Sequence, residues 1–192
     1  MANLDLLTKS IGPERFKFKE SLKDYTFSKS EGLAECLYIA TSKTELVKVL
    51  DLCLELRIPY FIIGSGTKIL LNSEVKGLVI KNRTSEVKLA GMKGKFAGGG
   101  LGIEEAYVEA DSGVSLNKLN EFVEKQKLLD VSGYSSLQST VGGSIFIDPL
   151  LRTAVQSLRI WEDGEVVEIK LSKLKRSHVV VSALFKFRAK DI

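Results

Sequence analysis

Two short glycine-bearing stretches are where the backbone of this chain could do chemistry. The first, Ile63-Gly64-Ser65-Gly66-Thr67-Lys68, follows the apolar run Tyr60 to Ile63. A glycine turn at the carboxyl end of a strand can aim its N–H groups at an anion, and the missing Cβ lets a phosphate approach closely. It is not a G-x-x-x-x-G-K-[ST] loop, and it lacks the third glycine and long helix of the dinucleotide fingerprint. Phosphate cradling and a plain tight turn are the two readings it leaves. The second stretch, Ser139-Thr140-Val141-Gly142-Gly143-Ser144, is another glycine loop.

Side-chain chemistry is sparser. His178 is the single histidine, so a metal site would have to be built largely of carboxylates, and any catalytic triad would need that residue as its base. Its place at the start of an apolar run reads more simply as a strand end, and no metal is expected. Cys36 and Cys53 lie inside apolar stretches, where a free thiol behaves as a small hydrophobe, so a reducing cytoplasm is the default location. The net charge of +4 is concentrated: Lys170, Lys173, Lys175, Arg176, Lys186, Arg188 and Lys190 fall in one stretch without an acid, and the remainder is net acidic. Such a patch attracts phosphates of a nucleotide cofactor or of nucleic acid, although no recognition helix, RNA-binding aromatic motif or finger spacing accompanies it. A solvated face is the plainer reading.

The elements that must position these residues are legible from periodicity. Cys36 to Ala40 reads as a strand, and Ser42 with Glu45 forms a capping box ahead of a helix reaching about Arg57. Leu46, Val47, Leu50, Cys53, Leu54 and Leu56 supply its apolar positions, and Pro59 ends it. Tyr60 to Ile63 is continuously apolar, as in a parallel strand buried on both faces. Strand, helix, strand make a βαβ unit whose right-handed crossover delivers Gly64 onward to the carboxyl edge of the sheet. Leu78 to Ile80 forms another strand. Past Arg83 strands dominate: a glycine-rich hairpin connection between Gly91 and Gly102, a strand at Ala106 to Ala110, and one short amphipathic helix at Leu116, Leu119, Phe122 and Val123 capped by Ser115. Gln156 to Glu162 and Glu165 to Leu171 flank Asp163-Gly164, a two-residue hairpin signal, and Val179 to Arg188 is the last strand.

Composition sets the frame. With 44% hydrophobic and 27% charged residues, the chain is neither disordered, collagenous nor a disulfide scaffold. The run Val179 to Phe185 is broken by Ser182 and is far short of the roughly 18 residues of a membrane span. No basic start with an apolar core follows Met1, so no secretory signal is expected.

A small βαβ unit ending in Ile63-Gly64-Ser65-Gly66-Thr67, then an antiparallel region containing Ser139-Thr140-Val141-Gly142-Gly143-Ser144, is similar to the flavin-binding half of the UDP-N-acetylenolpyruvoylglucosamine reductases. These belong to the wider vanillyl-alcohol-oxidase-like (PCMH) class of FAD proteins. The resemblance implies an α+β, two-subdomain PCMH-type FAD-binding fold: an N-terminal extension over 1–19, a parallel βαβ subdomain over 20–82 with the first glycine loop, and an antiparallel sheet with helices over 83–192 with the second. It also implies that both loops clasp the FAD diphosphate through backbone-amide nests. Carried across, Ile63, Gly64, Ser65, Gly66, Thr67 and Lys68 form the first contact, with Lys68 where the family has asparagine. Ser139, Thr140, Val141, Gly142, Gly143 and Ser144 form the second, with Gln138 and Ser139 in place of Pro-Gly. Downstream, Ile145 to Pro149 replaces the family's Gln-Asn and glycine run. NADPH is the implied electron donor and Arg176 the implied catalytic arginine, in a reaction of peptidoglycan precursor synthesis in the cytoplasm. The family's proton-donating serine and its glutamate belong to a third, substrate-binding domain, which is expected to be missing from these 192 residues and to come, if at all, from a separate partner chain. Two alternatives stay open at this point: a cofactor-free scaffold or partner subunit, favoured by Lys68, Gln138 and Asp148, and a nucleic-acid binder using the basic C-terminal stretch.

Overall fold

The computed structural model describes residues 2–29, 31–67, 69, 71, 73–97, 100–128 and 138–189. It divides into two compact units, one of Met1–Thr84 with Asp163–Glu165, the other of Ser85–Glu162 with Val166–Ile192.

The first unit is a four-stranded sheet. Its strands are β1 (Phe16–Ser21), β2 (Leu33–Ala40), β3 (Tyr60–Ile63) and β4 (Glu74–Asn82), in the order β1-β2-β4-β3. β1 runs antiparallel to β2, and β4 runs parallel to both β2 and β3. Helix α2 (Lys43–Glu55) joins β2 to β3. Ser42 caps it by accepting a hydrogen bond from Glu45 N–H, while Glu45 Oε2 reaches back to Thr41 N–H at 2.7 Å. These bonds satisfy amides that no helical carbonyl can reach. Its buried face is Leu46, Val49, Leu50 and Cys53, at helical spacing.

Three sequence expectations differ from this unit. Leu54 was counted with the apolar face of α2 and is instead 46% exposed, because the buried stripe passes through Val49. β2 and β3 are not neighbours, since β4 lies between them. β4, buried continuously from Gly77 to Asn82, is therefore the strand covered on both faces, and β3 is an edge strand that leaves Phe61 partly exposed. Residues 1–19, read from sequence as an extension, carry α1 (Ala2–Ile11) and most of β1; Leu4, Leu7 and Phe16 are buried, and Phe16 pairs in register with Tyr38. Burial of these apolar side chains ties the segment to the unit.

The second unit is a five-stranded antiparallel sheet of β5 (Val87–Ala97), β6 (Gly100–Asp111), β7 (Val155–Glu162), β8 (Glu165–Ile169) and β9 (Val179–Arg188), in the order β5-β6-β9-β7-β8. The glycine-rich segment joins β5 to β6, with Gly98 and Gly99 outside the described residues. Asp163 (φ 50°) and Gly164 (φ 88°) turn β7 into β8, as a two-residue hairpin with positive φ at both central positions requires. Helices α3 (Leu116–Lys125), α4 (Val141–Ile145) and α5 (Pro149–Ala154) complete the unit. Leu116, Leu119 and Val123 of α3 join Val141 and Ile145 of α4 and Phe185 of β9 in one core. No described helix is long and apolar enough to cross a membrane.

Candidate functional site

Ile63 is the buried last residue of β3, and Gly64 to Thr67 turn away from it at the carboxyl edge of the sheet. Three successive carbonyls of this turn are taken up from one side. Gly64 O accepts from Lys81 Nζ, Ser65 O from Phe27 N–H at 2.8 Å, and Gly66 O from Ser28 N–H at 3.4 Å. In a planar trans peptide the C=O of one residue and the N–H of the next point in opposite directions. The amides of Gly66 and Thr67 are therefore directed away from the 25–28 segment, which holds the Ser65 and Gly66 carbonyls, and the amide of Ser65 is directed away from Lys81 Nζ. An outward row of backbone N–H dipoles is an anion-binding arrangement.

Local sequence explains why the turn keeps this shape. Gly66 sits at φ +69°, and a Cβ there would lie 2.7 Å from Thr26 Cα, so a side chain is excluded by both conformation and space. The 25–28 segment is itself anchored: Tyr25 N–H bonds Leu22 O, Thr26 Oγ1 donates to Leu22 O at 3.1 Å, and the Tyr25 hydroxyl donates to Glu20 while accepting from Lys17, both at 2.7 Å. Ser65 Oγ and Thr67 Oγ1 lie 3.4 Å apart on the turn itself. Lys68, expected as part of this loop, lies outside the described residues.

Lys81 is the feature that sequence reasoning missed. It stands on β4 with its side chain buried, and its Nζ donates to Tyr25 O at 2.6 Å as well as to Gly64 O. Burial pushes the ammonium down to about 8, with the like charge of Arg83 adding to the effect. The available signal was a lysine following the apolar run Leu78, Val79 and Ile80 without a break.

The second glycine motif folds differently from the open amide nest expected of it. Thr140 caps the short helix α4, and the amides that were to face a ligand have internal acceptors. Val141 N–H bonds Val114 O at 2.8 Å, Gly142 N–H bonds Ser112 O at 2.8 Å, and Ser144 N–H bonds Thr140 O at 2.9 Å. Gly143 N–H approaches Thr140 Oγ1 at 3.5 Å, and Ser139 O accepts from Leu116 N–H. Gly142 is there for close packing: a Cβ would lie 2.9 Å from Ser112 Cβ. The departure at Ile145 to Pro149 also has a local cause. Asp148 is buried and caps α5 through Leu150 N–H and Leu151 N–H at 3.0 and 3.2 Å, and Pro149 takes the first helical position.

Arg176 lies exposed in the turn before β9. That turn is fixed by His178, whose Nδ1 accepts from Lys175 N–H at 3.3 Å and whose Nε2 lies 3.0 Å from Glu162 Oε1. The basic stretch is partly neutralised, Lys175 of this turn lying 3.6 Å from Glu162 and Lys186, further along β9, 2.7 Å from Glu105. Among the described residues no cluster of His, Cys, Asp and Glu could hold a metal ion. Of the expected site residues, Ile63 to Thr67 belong to the first unit, and Ser139 to Ser144 and Arg176 to the second.

Comparison with known proteins gives these features a family. The chain is 27% identical over 202 aligned residues to UDP-N-acetylenolpyruvoylglucosamine reductase of Clostridium tetani, an alignment covering 96% of this chain and 62% of that protein. The chain thus spans about three-fifths of the length of this curated relative. Among solved structures, UDP-N-acetylenolpyruvylglucosamine reductase of Thermus caldophilus matches with a TM-score of 0.63 at 18% identity, over 89% of this chain and 62% of that one. p-Cresol methylhydroxylase matches with a TM-score of 0.61 at 12% identity, over 98% and 43%. Both likenesses are of fold, and they give the two sheets a PCMH-type α+β architecture. The profile described as an FAD binding domain matches residues 34–147, from β2 through the first glycine turn to the end of α4, and on that match the chain belongs to the FAD-binding domain family.

Proposed function

We propose that this FAD-binding module holds the diphosphate of its cofactor against the Gly64 to Thr67 turn. The observation that carries this is the one-sided capture of the Gly64, Ser65 and Gly66 carbonyls, which turns the following amides outward. Backbone donors fixed in this way need no reorganisation when an anion arrives, and they suit a diphosphate better than a neutral group. Lys68 next to the turn would add charge.

Residues 139–144 make a second FAD contact in this proposal. Support comes from their position at the end of the matched family segment, 34–147. With its amides committed inside α4 and Thr140 and Ser144 buried, the motif would act through the bare Cα surfaces of Gly142 and Gly143.

The bound flavin supplies hydride-transfer chemistry. We further propose that the module serves an NADPH-dependent reduction of the UDP-N-acetylenolpyruvoylglucosamine type, in the cytoplasm, in the synthesis of peptidoglycan precursors. The relatives' names support the reductase part of this reading. Arg176 is the proposed substrate-side residue; its exposure in a turn braced by His178 and Glu162 suits a group that must reach an anionic substrate. The proton donor of that reaction is proposed to lie outside these residues, on another segment or a partner chain.

The experiment is a visible spectrum of the purified full chain, before and after FAD is added and excess removed. Retained visible flavin absorbance, with a rise in melting temperature on loading, is expected of a protein that binds its ligand only when folded. A colourless protein with an unchanged melting temperature would instead support the scaffold reading.

A further inference from the structure

A cation buried against neutral acceptors is electrostatically incomplete. Lys81 is in that position. On β4 its register neighbours are Ile39 of β2 and Ile63 of β3, both apolar, and its two hydrogen bonds go to backbone carbonyls, Tyr25 O and Gly64 O. The charged groups near it do not compensate it. Arg83, two residues along the strand, is of like sign, and Lys17 and Glu20 on the packed N-terminal segment are engaged with one another and with the Tyr25 hydroxyl. Taking an ammonium out of water without a carboxylate costs stability, and an apolar residue would fill the position more cheaply. The one thing this arrangement accomplishes is to join the turn that follows β3 to the segment beside it, with a positive charge fixed where the two meet.

We propose that Lys81 is the positioning residue of the first glycine turn, its ammonium holding Gly64 O and Tyr25 O together so that the Ser65 and Gly66 amides face the FAD diphosphate, and lending this anion a positive charge from the carbonyl side of the turn. The inference rests on the reading that the diphosphate lies at Gly64 to Thr67. It adds a side chain from a strand 17 residues downstream of the turn, outside both glycine motifs.

Anion binding favours the protonated amine, so FAD affinity falls as Lys81 loses its proton, around pH 8. The diphosphate itself carries the same charge throughout this range. The test is FAD titration of the full chain, followed by flavin fluorescence, from about pH 6.5 to about pH 9.5. For the wild-type protein the affinity should drop several-fold across that range. Lys81→Met should bind FAD about tenfold or more weakly at neutral pH and show a flat profile. Riboflavin, which has no phosphate, should show neither effect. A flat wild-type profile overturns the inference without any variant having to fold. So does a Lys81→Met protein of native circular dichroism that binds FAD with unchanged affinity. Gly66→Ala distinguishes the two levels: if it weakens FAD binding and Lys81→Met does not, the inference fails and the site reading stands, whereas if neither weakens binding both are wrong.

Discussion

Gly66 and Gly142 illustrate how the same residue type serves two purposes in one chain. At Gly66 the positive φ and the nearness of Thr26 make glycine a condition of the turn's shape. At Gly142 the backbone is helical, and what forbids a side chain is the close approach of Ser112. Gly142→Ala should therefore act as an overpacking change in the second unit, costing about 1 to 3 kcal/mol, read as a lower midpoint in denaturant. An unchanged midpoint would mean that the contact relaxes freely. Arg176 is predicted to be separable from cofactor binding: Arg176→Ala should leave FAD affinity within about twofold, because the charge of an exposed turn residue is screened by water and salt. A larger loss in the FAD titration would move Arg176 from the substrate side to the cofactor side.

Helix α2 is the element that sets the first turn's place, since it carries the chain from β2 to β3. Its start depends on Ser42 and Glu45. Burial alone would raise the Glu45 carboxyl, but hydrogen bonds from Thr41 N–H, Arg15 and the Thr41 hydroxyl outweigh it and hold the group down at about 2. A carboxylate depressed in the fold contributes stability that is complete above its ordinary value near 4.5 and is lost as pH falls toward about 2. The stability difference between wild type and Glu45→Gln, measured in denaturant, should accordingly shrink as pH drops through that window, while Ser42→Ala costs about 1 kcal/mol at either end. A difference constant with pH would contradict the role given to Glu45. The helix and its cap could be read from sequence because their signals are local, as could α3 and the Asp163-Gly164 hairpin. The insertion of β4 between β2 and β3 could not, because parallel pairing leaves no short-range mark. Lys81 was opaque for the same reason: its partners lie 17 and 56 residues away. The second glycine motif misled because two adjacent glycines suggest an open loop, whereas the Thr140 cap and the acceptors at Ser112 and Val114 commit it to a helix.

For the molecule as a whole, each unit has its own sheet and its own core, so each can be weakened separately by the changes above. Loading with FAD at about one hundred times its dissociation constant should stabilise the folded chain by about 2.7 kcal/mol, seen as a shift of several degrees in melting temperature. The central claim is narrower, that the outward amides of Ser65 to Thr67 hold the diphosphate. Parallel titrations of the full chain and of Gly66→Ala with FAD and with riboflavin test it most directly. The account predicts that FAD binds the native chain far more tightly than riboflavin does and that Gly66→Ala removes about tenfold or more of that preference. Equal affinity for the two flavins, or a preference that survives the substitution, would contradict it.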